Sequence, residues 1–83
     1  MRRPHMTLEA FLRQPVPKEA TKQDVERALD LLGFALRSHH GSHYRWRHPD
    51  GTQFDYKLIS GRKVSIETVK DMAAEIRRQG RGE

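Results

Sequence analysis

Two alternating segments meet at Pro49-Asp50-Gly51, and together they leave this chain few folds to choose from. Ser42-His43-Tyr44-Arg45-Trp46-Arg47-His48 precedes the turn, and Thr52-Gln53-Phe54-Asp55-Tyr56-Lys57-Leu58 follows it. Successive side chains of a strand point to opposite faces. Pro presets the first turn residue, Asp suits the second, and Gly takes the left-handed position of a bulged three-residue hairpin loop. Phe34-Ala35-Leu36-Arg37-Ser38 alternates as well, and Gly41-Ser42 turns the chain into the second strand. One face of the resulting sheet carries Phe34, Leu36, Tyr44, Trp46, Phe54 and Tyr56. The other carries Arg37, His43, Arg45, Arg47 and Lys57, with Asp55 as its lone acid. A slip of one residue would exchange the faces and bury arginines, so the register is constrained.

Helices flank the strands. Thr21 with Asp24 three residues on resembles a capping box, and Val25, Ala28, Leu29 and Leu32 then line one face. Gly33 stands where a helix calls for a left-handed residue after its end. Ser65 is the expected N-cap of a second helix, with Val64 and Val69 at the spacing of a hydrophobic staple. Its buried stripe is Ile66, Val69, Met72, Ala73 and Ile76. The order helix, three antiparallel strands, helix is an α+β fold, with both helices packed on the aromatic face of a three-stranded sheet.

Residues 1–20 read as an N-terminal extension, 21–79 as the folded domain and 80–83 as a flexible polar tail. In the extension, Thr7 caps a short helical turn with Leu8, Phe11 and Leu12 on one side, and Pro15-Val16-Pro17 stops it. A partly ordered arm is the expectation. At 83 residues the core must be thin, since a domain this small buries only about 60% of the surface its unfolded chain exposes. The chain has no cysteine, which removes disulfides and thiolate metal sites and fits a reducing, cytoplasmic setting. No apolar run approaches the roughly 20 residues of a membrane span. The start, MRRPHMTLEAFLRQ, has no continuous apolar core behind its positive charge, which argues against a signal peptide.

The net charge of +5 favours a polyanion or an acidic protein as partner. The charge is also clustered: from Leu31 to Pro49 there is no Asp or Glu, while Arg37, Arg45 and Arg47 fall inside. Four of the five histidines, His39, His40, His43 and His48, lie in the same stretch. A metal site fits them poorly, because His39 and His40 point apart, His43 and His48 face opposite sides of one strand, and no Cys or carboxylate completes a set. Tyr44 and Trp46 suit base stacking by type, but alternation assigns them to the core. The arginines then remain for phosphate. His43 begins its strand on the same face as Arg45 and Arg47. An imidazole there can take a proton from an RNA 2′-hydroxyl while the arginines stabilise charge on the phosphate. Against this stands a surface hairpin whose histidines are idle.

Gly41-Ser42-His43-Tyr44-Arg45-Trp46-Arg47-His48-Pro49-Asp50-Gly51 resembles the GSHH-x-[FY]-x-HPDG signature of the HicA toxins of bacterial HicA–HicB toxin–antitoxin systems. Leu31-Leu32-Gly33-Phe34 is similar to the end of that family's first helix, and Val64-Ser65-Ile66-Glu67-Thr68-Val69 to the entry of its last. The resemblance implies a fold like that of double-stranded-RNA-binding domains. It further implies a ribosome-independent endoribonuclease, an mRNA interferase, neutralised by a HicB antitoxin. The family's catalytic histidine maps onto His43, and its motif glycine onto Gly41, followed by Ser42. Tyr44 stands where the signature has a second histidine. Tyr56-Lys57-Leu58-Ile59-Ser60-Gly61 lacks the family's V-P-x-H segment, and Glu67 replaces a glycine.

The expected function is therefore metal-independent cleavage of mRNA. His43 is the proton-transfer group, Arg45, Arg47 and Lys57 are the phosphate contacts, and Arg37 is a further contact. The expected partners are RNA and a HicB-type antitoxin, with no metal, cofactor, small-molecule ligand or membrane. Two alternatives use the same cationic face: an RNA-binding relative that does not cleave, and a protein-interaction module that meets an acidic antitoxin.

Overall fold

The computed structural model describes residues 6–81. The first five residues of the expected extension and the last two of the expected tail lie outside the described residues. A 3-10 turn over Glu9–Leu12 comes first. Helix α1 spans Lys22–Leu31, strands β1 Ala35–His40, β2 His43–Arg47, β3 Gln53–Ser60 and β4 Lys63–Val64, and helix α2 Ile66–Arg78. The sheet is antiparallel in the order β1-β2-β3-β4.

Local chemistry sets the helix ends. Thr21 Oγ1 accepts the Asp24 amide while the Asp24 carboxylate accepts the Thr21 amide, so the capping box is formed with the shorter acid. Ser65 caps α2 by accepting the Thr68 amide at 3.2 Å. Both helices end in the same motif. After α1, the Phe34 amide donates to the Leu29 carbonyl and Gly33 to Asp30; after α2, Arg81 donates to Ile76 and Gly80 to Arg77. Gly33 has φ +91°, and a Cβ there would sit 3.1 Å from His48 Nε2. Gly33→Ala thus combines left-handed strain with a crowded neighbour, and it is expected to lower stability by more than about 1 kcal/mol. Urea denaturation reads this as a lower midpoint at unchanged slope.

The aromatic face packs as the alternation dictates. Trp46, Phe54 and Tyr56 are buried in one core with Val25, Ala28, Leu29 and Leu32 of the first helical segment and Val69, Met72 and Ile76 of α2. Both helices therefore cover one face of the sheet. Four findings differ from the sequence reading. The sheet has a fourth strand, β4, because Gly61 turns the chain back after β3 and Val64 pairs with Leu58. The same segment holds the entry to α1: the Lys22 amide donates to the Arg62 carbonyl at 2.7 Å, and Val64 to Ala20. Leu36 pairs with Trp46 but lies on the edge strand, where it stays 48% exposed. Ile66, in the first turn of α2, is also exposed rather than part of the buried stripe.

The last difference is in the N-terminal arm. Phe11 is 1% exposed and belongs to the core, and Ala10 is buried beside it. Thr7 accepts the Ala10 amide through both its carbonyl and its Oγ1. The Met6 amide donates to Asp24 of α1. The sheet and two helices alone leave this part of the core open, and the 3-10 turn closes it.

Candidate active site

The turn at Gly41-Ser42 organises the cationic face. Gly41 has φ +60° and Ser42 has no positive φ, the pattern of a two-residue hairpin turn with glycine first. Such a turn sets its flanking residues directly opposite each other, and His40 pairs with His43. The Ser42 carbonyl accepts the Leu58 amide at 3.0 Å, which fixes the turn to β3. On that side His43 pairs with Lys57. His40, His43 and Lys57 thus form one row across three strands. The next row is Ser38, Arg45 and Asp55.

These six residues line a concavity of about 460 Å³, whose walls are completed by Tyr44, Tyr56 and Thr68. His43, Arg45 and Lys57 of the sequence-predicted set are brought together here. Arg47 shares the face but lies further along β2, opposite Gln53, and does not line the concavity. Arg37 falls where the β1–β2 register shifts between Leu36 and Ser38; it is exposed and stands apart. His40 and Ser38 were not among the predicted site residues. The signal for His40 was the length of its turn: two residues between His40 and His43 force the pairing.

The lone acid of the face is engaged. Arg45 Nε and Nη2 donate to the two carboxylate oxygens of Asp55 at 3.2 and 3.4 Å, and Gln53 Nε2 donates to the same group. Both partners are about half exposed, so the pair contributes no more than about 1 kcal/mol to stability. The pair occupies the Arg45 guanidinium, so an anion reaching it would have to compete with Asp55.

The remaining histidines of the stretch lie on the helix side. His39 stacks on Tyr44 with centroids 4.3 Å apart, Tyr44 stacks on Tyr56 at 5.2 Å, and Lys22 Nζ sits 5.1 Å over the Tyr44 ring. His39 Nε2 also meets the Gly41 carbonyl at 2.6 Å. His48 packs edge-on against Phe34, and its Nδ1 accepts the Asp50 amide. Asp50 in turn accepts the Thr52 amide, which with the Thr52 side chain holds its carboxyl well below the usual range. Arg78 bridges Asp50 to Glu75, and its hydrogen bonds hold Glu75 below the usual carboxylate range. The Arg78–Glu75 pair, which lies within α2, is complete at neutral pH and is lost as pH falls through the lowered Glu75 value. Burial raises the Tyr56 phenol above its ordinary value. Among the described residues, no three His, Asp or Glu side chains are placed to hold a metal ion.

The geometry sorts the stretch into a structural half and an exposed half that presents two histidines with cations. Among known families, the model of the HicA toxin of bacterial toxin–antitoxin matches residues 23–79, well over half of the chain. This chain belongs to the HicA toxin family. Neither curated proteins nor solved structures give a match. The HicA match spans both helices and the whole sheet, and begins after the 3-10 turn that carries Phe11. A family of toxin–antitoxin toxins implies an antitoxin as partner. No helix among the described residues is long and apolar enough to cross a membrane.

Proposed function

We propose that this HicA-family chain is an endoribonuclease that cleaves mRNA without a metal ion and so stops translation, and that a HicB-type antitoxin restrains it. One observation carries the reading: His43 stands exposed at the head of β2, beside Lys57 in the concavity, with no hydrogen bond or ion pair among the described residues. An unengaged imidazole can take the proton of a 2′-hydroxyl, and a cation beside it can meet the phosphate. His43 removes that proton and the 2′-oxygen attacks the adjacent phosphorus. Lys57 and Arg45 stabilise the charge that builds on the phosphate oxygens. Arg47, and more remotely Arg37, attract the flanking backbone. The site of action is the cytoplasm, where mRNA is found.

The test is incubation of the purified protein with mRNA in excess chelator. Cleavage at internal positions is expected. Binding without cleavage would instead support the non-catalytic RNA-binding relative, and no binding at all would support a face that serves only a protein partner.

The Arg45–Asp55 pair gives a second expected result. Asp55→Asn frees Arg45 and raises the charge of the face by one. Affinity for single-stranded RNA should rise, and the slope of log affinity against log salt should steepen by up to about 0.7, the value for one further phosphate contact. Fluorescence anisotropy over a salt series reads both. An unchanged slope would mean that removing Asp55 adds no phosphate contact through Arg45.

A further inference from the structure

We propose that His40 is the second proton-transfer group of this site, the general acid that protonates the leaving 5′-oxygen while His43 acts as base. The inference rests on the RNA-cleavage reading and adds a residue and a role to it. His40 and His43 face each other across the Gly41-Ser42 turn. Directly paired residues of antiparallel strands have Cβ atoms about 4.5–5.5 Å apart, on the same side of the sheet. Both histidines are exposed, both line the concavity, and neither makes a hydrogen bond or ion pair among the described residues. The other two histidines of the stretch are engaged on the opposite face, His39 against Tyr44 and His48 against Phe34 and Asp50. The charged groups around the pair are Lys57, opposite His43, and the Arg45–Asp55 ion pair one row away. Asp55 is the one acid in the lining and is bonded to Arg45.

Cleavage by internal attack moves two protons. One must leave the 2′-oxygen as its bond to phosphorus forms. One must reach the 5′-oxygen as its bond to phosphorus breaks, because an alkoxide is a poor leaving group. Neutral His43 accepts the first and protonated His40 gives the second. The products are a 2′,3′-cyclic phosphate and a 5′-hydroxyl, and the step consumes no water and no redox partner. The proton has passed from His40 to His43, and exchange with solvent resets the pair. Imidazole suits both roles because it titrates near neutral pH.

The test uses a short RNA and the same RNA with sulfur in place of the 5′-bridging oxygen at the cut site, since a thiolate departs without a proton. Wild type, His40→Ala and His43→Ala are compared, with circular dichroism as the folding control. His40→Ala should be slowed by about 10²-fold or more on the oxygen substrate. On the sulfur substrate it should cut nearly as fast as wild type. His43→Ala should be slow on both. If His40→Ala is unaffected, or equally slow on both substrates, the acid role is overturned and the histidine is idle or merely binds. Rescue of His43→Ala by sulfur would overturn the assignment of roles. A wild type that cuts neither substrate would overturn the RNA-cleavage reading and this inference with it; a wild type that cuts while His40→Ala matches it overturns only the inference.

Discussion

His43→Ala is expected to slow RNA cleavage by about 10²- to 10⁴-fold, the usual contribution of one positioned acid–base group. RNA affinity and thermal stability should stay near wild type. The reason is local: the His43 ring is exposed and makes no hydrogen bond or ion pair among the described residues, so its loss removes no packing and no ion pair. The phosphate contacts assigned to Lys57, Arg45 and Arg47 remain. Rate and binding should therefore separate cleanly in this variant. Single-turnover cleavage rates beside anisotropy-derived affinities measure the two. A variant that binds weakly and cuts at the wild-type rate once saturated would make His43 a binding residue. Lys57→Ala should behave oppositely to His43→Ala and lose affinity, because it removes a cation that meets phosphate in the proposed site.

Phe11→Ala carries the largest expected effect on stability, about 3–5 kcal/mol, the range for removing a fully buried phenylalanine. Phe11 is 1% exposed and sits in the same core as Leu29, Met72 and Ile76. At roughly 0.05–0.15 kcal/mol per residue, a chain of this size has on the order of 4–12 kcal/mol of total stability. One side chain outside the span that matches the HicA family thus decides a large share of it. Denaturant titration is the measurement. A change under about 1 kcal/mol would mean that the 3-10 turn folds onto the domain without supporting it. The same variant is informative about function, since Phe11 does not line the concavity and the site should keep its activity for as long as the fold survives.

Those two residues show where the sequence was legible and where it was not. The β2–β3 hairpin could be read because alternation, turn chemistry and the cost of burying arginine all agree on one register, and Trp46–Phe54 and Arg45–Asp55 pair accordingly. The caps at Thr21 and Ser65 could be read because each is a local side-chain-to-backbone bond. Three things could not. Strand β4 has two residues, too few to show a period. Phe11 is followed by two prolines, and the three apolar residues of its turn cannot signal which surface they will cover. The depth of a side chain on an edge strand depends on how far the helices reach, so Leu36 alternates inward and is still exposed. For the site, residue types pointed to His43, Arg45, Arg47, Lys57 and Arg37, of which only His43, Arg45 and Lys57 come together in the concavity. The engagement of Arg45 by Asp55 and the placement of His40 opposite His43 needed the register of both turns, and those are properties of three strands together.

The central claim is that the outer face of this sheet cuts RNA through His43. It is tested most directly by inducing the wild-type chain and His43→Ala side by side in bacteria and following full-length mRNA together with growth. Full-length mRNA should disappear and growth should stop with the wild type, while the folded variant leaves both untouched. Growth arrest with mRNA intact, or equal loss of mRNA with the two proteins, would contradict it.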